Sequence, residues 1–127
     1  IINCISIFQR YWSFMKNSYL RFLRIVSALE IDARYKKELC NTALQLLNEI
    51  AIKDHDSEPL TVSQAMDLAV IGSPANLHRK LQDLHRVGLV SIESKDKDRR
   101  VKYITLTKDA LDYFKSQSDA MLKALKT

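Results

Sequence analysis

The chain has 127 residues, of which 46% are hydrophobic and 28% charged, a composition typical of one globular domain spanning 1–127. Lys and Arg number 20 against 15 Asp and Glu, a net charge of +5, which permits a polyanionic partner without requiring one. With only 2 Gly and 2 Pro, collagen-like, proline-rich and multi-turn all-β architectures are excluded, because each needs frequent turns. A mainly helical domain is expected.

The cysteines and the uncharged N-terminus bear on localisation. Cys4 and Cys40 are too few and too far apart for a disulfide framework or a four-ligand zinc site, which favours a reducing, cytoplasmic compartment. Residues 1–9 carry no charge, but Arg10 and Lys16 interrupt this run well before the roughly 20 apolar residues that a membrane-spanning helix needs. The sequence therefore predicts no membrane partner.

The first part of the chain carries a long apolar stripe. Apolar residues recur at steps of three or four from Ile5 to Leu29, which predicts a long helix. Six of the ten aromatic residues fall within the first 22 positions, more than one helix face of a small domain can bury. Since large apolar patches are uncommon on monomers, we expect part of this helix to contact another chain; packing into its own core is the alternative.

A second helix is predicted from Arg34 to Lys53, because apolar residues follow helical spacing there. The acidic run Asp54–Pro59 ends it. Its carboxylates are neighbours in a turn rather than converging ligands, so a solvated loop is favoured over a metal site. Cys40 lies beside apolar residues of this helix, which favours a buried thiol; a redox-sensing thiol, which would need exposure and a lowered pKa, is the alternative.

Two short helical segments follow. Thr61 and Gln64 have the spacing of a capping box, which predicts a short helix that carries apolar residues as far as Ala69. Gly72, in the turn that follows, is free to adopt a positive φ. Two helices joined by a short glycine-bearing turn make a helix-turn-helix.

The second of these helices has clear start and stop signals. Ser73 is placed to cap it, Pro74 suits its first position, and Gly88 follows its end. Its apolar seam consists of Leu77, Leu81, Leu84 and Val87.

A hairpin and a last helix complete the chain. Residues 89–94 and 101–106 are β-branched and roughly alternating, and the six residues between them are all charged, which predicts a two-stranded hairpin with a charged tip. Thr107 is expected to cap the final helix, which runs nearly to Thr127. The apolar side predicted for this helix consists of Leu111, Phe114, Ala120 or Met121, and Leu122.

The basic charge is concentrated in the second helix of the helix-turn-helix and in the hairpin. Residues 73–102 hold eight basic and four acidic side chains. The N-terminal end of such a helix enters the major groove in helix-turn-helix proteins. Asn76 could pair with an adenine edge, Arg79 with guanine, and Pro74 or Ala75 could touch a thymine methyl; a solvated helix face is the alternative.

The hairpin tip crowds several bases onto a short projection. Its Arg100 is suited to a narrow, negative minor groove beside the major-groove helix, and Asp98 is expected to orient Arg100 through a two-point ion pair. A charged turn that merely protects an edge strand from aggregation is the alternative. The candidate DNA-binding residues are Ser73, Pro74, Ala75, Asn76, His78, Arg79, Lys80, Lys95, Lys97, Arg99 and Arg100.

The run from Leu60 to Leu111 resembles the winged-helix core of the multiple-antibiotic-resistance regulator (MarR) family of bacterial transcription factors. The resemblance rests on Leu60-Thr61, on Ser73 through Leu84, on Gly88-Leu89-Val90 and on Asp98-x-Arg100 followed by Leu106-Thr107. Ala110 stands where the family usually has glycine, and the C-terminal region is shorter than in many members. The family's wing arginine and its partner would correspond to Arg100 and Asp98.

The resemblance implies a homodimeric repressor that binds a palindromic operator in double-stranded DNA, with the first and last helices forming the dimer interface. The expected interface residues are Phe8, Tyr11, Trp12, Met15, Tyr19, Phe114 and Met121. Members often respond to small aromatic ligands, so the resemblance also implies a small-molecule effector, although no motif here identifies one.

The fold expected is thus mainly α with a wing of two or three strands. Residues 1–53 would form dimerisation and scaffold helices, 60–107 the winged helix-turn-helix core and 108–127 a C-terminal dimerisation helix. The sequence has no glycine-rich phosphate loop, His-Glu-x-x-His motif or nucleophile elbow, so neither an enzyme nor a cofactor or metal site is predicted. The alternatives are a winged-helix protein-interaction or assembly module and a plasmid or phage replication or partition factor.

Overall fold

A computed structural model of the chain describes residues 17–94 and 99–126. These residues fall into two compact units, one made of residues 34–112 and the other of residues 17–33 together with 113–126. Residues 17–27 are helical (α1), which agrees with the later part of the predicted N-terminal helix; its earlier part, before residue 17, lies outside the described residues.

The remaining elements follow in the order α2 (Glu30–Glu38), α3 (Asn41–His55), α4 (Val62–Met66), α5 (Pro74–Arg86), β1 (Val90–Glu93), β2 (Tyr103–Leu106) and α6 (Lys108–Leu125). Across the described ranges, no helix is both long enough and apolar enough to cross a membrane.

The single helix predicted from residue 34 to residue 53 is wrong, because two helices occupy this region. Cys40 lies between α2 and α3 in an extended conformation, with φ −81° and ψ 168°. Its carbonyl oxygen accepts from the amide of Leu44 at 3.2 Å, so Cys40 is where α3 begins. Leu39 and Ala43 are both buried on either side of the break. The apolar spacing therefore continues across it, and no Gly or Pro marks it in the sequence.

The predicted capping box at α4 is confirmed. The amide of Gln64 donates to Thr61 Oγ1 at 3.1 Å, and Gln64 Oε1 accepts from the amide of Thr61 at 3.0 Å. The helix is shorter than predicted, since it ends at Met66. Beyond it the amides of Asp67 and Leu68 bond to carbonyls three residues back, which is the geometry of tight turns rather than of an α-helix.

The start of α5 matches its sequence signals. The amide of Asn76 donates to Ser73 Oγ at 3.3 Å, and Pro74 occupies the first helical position. Gly72 does not use its freedom to adopt a positive φ; of the two glycines, Gly88 has one, at +86°. A Cβ at Gly72 would lie 3.3 Å from Asn76 Nδ2, which is a tight contact. Glycine at this position therefore leaves space for the Asn76 side chain.

The end of α5 is a Schellman motif. The amide of Leu89 donates to the carbonyl of Leu84 at 3.0 Å, and that of Gly88 to the carbonyl of His85 at 3.1 Å. Gly88 takes the left-handed conformation that this motif requires. Leu84 and Leu89 are both fully buried, so buried apolar side chains lie on both sides of the turn that connects α5 to the hairpin.

The predicted hairpin is confirmed, with strands slightly shorter than the sequence indicated. β1 and β2 are antiparallel, and Val90 pairs with Leu106 and Glu93 with Tyr103. A single bridge from Thr61 to Tyr103 adds a third, minimal strand.

The core of the 34–112 unit lies where α3 packs against α5 and β2. Its fully buried large side chains are Tyr35, Leu46, Leu47, Ile50, Leu77, Leu84, Leu89 and Ile104. Burial of each such side chain contributes about 1.5–3 kcal/mol. This core holds α5 and the hairpin on one scaffold.

The last helix begins as predicted but buries a different face. Thr107 Oγ1 accepts from the amide of Ala110 at 3.3 Å, which confirms the cap. Leu111, Met121 and Leu122 are each more than half exposed, so the apolar side predicted for this helix is not its buried face within the chain; of its members, Ala120 is buried and Phe114 is half-buried. The residues buried instead are Ala110, Tyr113, Ala120 and Ala124. Three of these four are alanine, which allows the helix backbone to pack closely.

Candidate nucleic-acid interface

Helix α5 separates an apolar face from a polar one. Leu77, Leu81 and Leu84 are at most 2% exposed, because they pack into the core beneath the helix. Ala75, His78 and Arg79 are exposed. The polar side of the first two turns therefore faces solvent, as the sequence predicted.

The N-terminal end of α5 is electropositive and open. Its first turn contains no acidic residue, so the partial positive charge of the helix terminus is not offset there. Ser73 and Pro74 are exposed. Asn76, in contrast, is half-buried, and its side-chain nitrogen lies close to Gly72. The side-chain amide of Asn76 is therefore less accessible to solvent than the guanidinium of Arg79.

Lys80 is half-buried and interacts with Cys40 at the break between α2 and α3. Cys40 is exposed and free of disulfide bonds, which corrects the expectation of a buried thiol; the reason is that the break places it at the start of α3 instead of inside a helix.

Partial burial raises the pKa of the Cys40 thiol. Hydrogen bonds from the Ala43 amide and from Lys80, with the charge of Lys80, lower it by more, so the pKa lies below its ordinary value.

At the other end of α5, one basic side chain has an acidic neighbour on its own helix. Arg86 Nη2 lies 3.6 Å from Asp83 Oδ1, and the two side chains are 65% and 39% exposed. Such an exposed pair contributes little stability. The net positive charge of α5 is consequently carried by Arg79 and Lys80, in its second turn.

The wing brings further cations to the surface. Arg99, Arg100 and Lys102 are exposed. Lys95, Lys97 and Asp98, together with the predicted ion pair between Asp98 and Arg100, lie outside the described residues.

A cleft of about 440 Å³ opens where the start of α4 meets the segment that precedes β2. Its lining residues are Thr61, Val62, Ser63, Arg100, Val101 and Lys102. Neither Ser63 nor Lys102 was predicted from the sequence as a site residue. Arg100 and Lys102 are close in the sequence, but only the fold brings Ser63 to the same cleft.

The described residues show no cluster of three His, Cys, Asp or Glu side chains that could hold a metal ion. In particular, His78 and His85 on α5 gain no third ligand within that part of the chain.

Comparison with known proteins yields matches among solved structures alone. No protein-family model matches the sequence, and no curated protein has a significant sequence match to it. A MarR-like transcriptional regulator from Thermotoga maritima is 19% identical, with a TM-score of 0.63, and the match covers 95% of this chain and 79% of that one.

Two further solved structures have a similar fold. MepR of S. aureus, solved bound to ethidium bromide, is 16% identical with a TM-score of 0.65, and the match covers 93% of this chain and 75% of that one. YusO of Bacillus subtilis is 17% identical with a TM-score of 0.56, at 97% and 79% coverage. The predicted winged-helix fold, and its likeness to MarR-like regulators, are thereby confirmed at the level of the fold.

Proposed function

We propose that this protein is a sequence-specific, double-stranded-DNA-binding transcriptional regulator that acts as a homodimer and not as an enzyme. The observation that carries the proposal is the start of α5: a capped, electropositive helix end with exposed Arg79 and His78, anchored from behind by buried leucines. A winged helix presents such an end to the major groove. Solved regulators with the same fold add support.

The residue roles follow from exposure and side-chain chemistry. Arg79 is the main base reader, since an exposed guanidinium can bind guanine at two points. Asn76 reads an adjacent base after leaning away from Gly72. Ser73 and the first amides of α5 hold a phosphate, while Pro74 and Ala75 touch thymine methyl groups. His78 and Lys80 assist on the same face, and in the wing Arg99 and Arg100, with Lys95 and Lys97, enter the minor groove.

The unit that comprises residues 17–33 and 113–126 supplies the dimer interface. Its two parts are joined by a 2.7 Å hydrogen bond from Arg21 Nη2 to the carbonyl of Lys126. Large apolar side chains are exposed in both parts, namely Tyr19, Leu20, Leu23, Met121, Leu122 and Leu125. Such a concentration of exposed apolar surface favours contact with a second copy. Phe114 is half-buried, and Phe8, Tyr11, Trp12 and Met15 lie outside the described residues.

The regulator would act as a cytoplasmic repressor whose operator affinity depends on the separation of its two α5 helices. A small molecule that binds one arrangement of the dimer better than another would shift this affinity. MepR, which shares the fold, was solved with ethidium bromide, and this supports a small-molecule effector here.

The decisive experiment is selection of bound sequences from random duplex DNA at about 0.15 M salt, near physiological ionic strength. The oligomeric state is measured in the same buffer by analytical ultracentrifugation. We expect a dimer that enriches an inverted repeat with half-sites about one helical turn apart. Weak binding without a motif, with steep salt dependence, would refute sequence-specific regulation.

A protein-interaction module is the second candidate, and the exposed apolar side chains of residues 17–33 and 113–126 are what favours it. In that case the chain would select no DNA motif, and its apolar surface would bind a different protein instead of a second copy. The same ultracentrifugation experiment separates the two, because the module would sediment as a monomer.

A further inference from the structure

The cleft between α4 and the wing combines positive charge with a hydroxyl. Arg100, Lys102 and Ser63 all line it and all are exposed. None of its lining residues is acidic. Two cations and a hydroxyl donor facing one opening are the chemistry that binds a phosphate.

The walls of this cleft are fixed to each other by backbone hydrogen bonds. The amide of Val62 donates to the carbonyl of Lys102 at 2.9 Å, and the amide of Ile104 donates to the carbonyl of Leu60 at 2.8 Å. These bonds connect the residues at and just before the start of α4 to β2 and the residue that precedes it. The separation between Ser63 and Lys102 is therefore set by the fold and not by a flexible loop.

The position of the cleft determines which phosphate it would meet. A protein that places a helix in the major groove and a hairpin in the adjacent minor groove must straddle the sugar-phosphate strand that divides the two grooves. Thr61 and Ser63 belong to the helix-turn-helix, and Arg100 and Lys102 belong to the wing. The cleft lies where these two parts join, so the dividing strand would pass in front of it.

We propose that this cleft binds one phosphate of the DNA backbone, with Lys102 and Ser63 as contacts that set the register of α5 and the wing on the duplex. The proposal rests on the proposed function, since it needs a bound duplex. It adds two residues that carry affinity without base preference, because phosphate contacts position a protein and base contacts give it specificity.

The test compares Lys102→Gln with Lys53→Gln, a matched control that removes the same charge from an exposed position on α3. Binding to the selected operator, and to a copy with one altered base, is measured by fluorescence anisotropy over a range of salt concentrations. Lys102→Gln should weaken both complexes about five-fold at about 0.15 M salt and lower the salt slope by about one, as expected for one lost phosphate contact. Lys53→Gln should match the wild type.

Two further variants separate a phosphate contact from a structural role. Lys102→Arg keeps the charge and should restore nearly the wild-type slope, and Ser63→Ala should weaken binding on every sequence equally. An operator series with a single uncharged methylphosphonate at each position should contain one position that weakens the wild type but not Lys102→Gln.

The outcomes distinguish this inference from the function on which it rests. If the wild type selects an operator but Lys102→Gln binds as Lys53→Gln does, the phosphate site is refuted and the regulator stands. Loss of base preference in Lys102→Gln would also refute it, because that would make Lys102 a base reader. If the wild type selects no operator, the proposed function and the phosphate site both fail.

Discussion

The hydroxyl of Thr107 donates a 2.6 Å hydrogen bond to the carbonyl of Gly88. The same oxygen accepts from the amide of Ala110 at 3.3 Å, and the Thr107 amide donates to the carbonyl of Leu89 at 3.2 Å. One residue thus ties the end of α5 to the start of α6, with the whole hairpin between them in the sequence.

Thr107→Val should destabilise the protein by about 1–2 kcal/mol, because it removes a helix cap and leaves a part-buried carbonyl without its donor. Thr107→Ser, which keeps the hydroxyl, should recover most of this loss. Urea unfolding followed by circular dichroism measures both. Equal stability of Thr107→Val and the wild type would contradict the role given to this hydroxyl.

Gly88→Ala should cost about 1–2 kcal/mol of unfolding free energy, since φ at Gly88 is +86° and L-residues are strained there. No atom lies within 4 Å of the added Cβ, so the cost is one of backbone conformation alone. The same unfolding assay applies. Gly72→Ala is the control: its φ is not positive, and it should cost less while displacing the Asn76 side chain.

Arg79→Ala should lower operator affinity and reduce the discrimination against one altered base pair by about 1–3 kcal/mol. Arg79→Lys should not restore this discrimination, because lysine lacks the two-point geometry. Arg86→Ala, on the last turn of the same helix, is the control and should keep the base preference of the wild type. Anisotropy titrations on operator variants provide the measurement; uniform loss across all sequences would contradict base reading by Arg79.

Leu122→Glu should convert the dimer into a monomer at micromolar concentration and abolish operator binding, because a charge would be placed on the apolar surface proposed to be shared. Sedimentation velocity detects the change, and circular dichroism checks that the helices persist. Ile52→Glu is the matched control, since Ile52 is 55% exposed and Leu122 57% but Ile52 lies in the other unit. If both variants remain dimeric, the interface lies elsewhere.

Cys40 should react with iodoacetamide at a lower pH than an ordinary thiol, because its pKa is lowered in the folded protein. Lys80→Gln removes one hydrogen bond and one positive charge, so the pKa should rise and alkylation near neutral pH should slow. The pH–rate profile is recorded with Cys4→Ser in both proteins, so that a single thiol reacts.

The sign of the effect on stability follows from the same shift. A thiol with a lowered pKa in the folded state stabilises the fold above the pKa of the unfolded thiol, and this contribution is lost as pH falls through the folded pKa. Since Cys40 is exposed, the effect should be small. An unchanged rate profile in Lys80→Gln would contradict the contact between Lys80 and Cys40.

Local signals in the sequence predicted the ends of the helices well. Thr61 with Gln64, Ser73 with Pro74, and Gly88 all act through neighbours within a few residues, so their spacing is sufficient to identify them. Cys40 is different. Since Leu39 and Ala43 keep their helical spacing across the break, periodicity alone could not locate it.

The buried face of α6 and the cleft beside α4 could not be predicted without the fold. The sequence analysis placed Leu111 and Leu122 on one apolar side of the helix, but the residues buried within the chain include Ala110 and Ala124, and both sets follow helical spacing. Ser63 and Lys102 are far apart in the sequence and line one cleft only because the chain folds the start of α4 against the segment before β2. The exposed face of α5 was predictable because Leu77, Leu81 and Leu84 fix which side is buried.

The bridge between Thr61 and Tyr103 has a consequence for the thermodynamics of association. Two backbone hydrogen bonds flank this bridge, from the amide of Val62 to the carbonyl of Lys102 and from the amide of Ile104 to the carbonyl of Leu60, so the foot of the wing cannot move away from the start of α4 without breaking both. Little conformational entropy is then lost at this point when DNA binds, because the two parts are already ordered in the free protein. Contacts that residues at the foot of the wing make with DNA phosphates or bases should therefore strengthen binding, with little loss of conformational entropy to offset them.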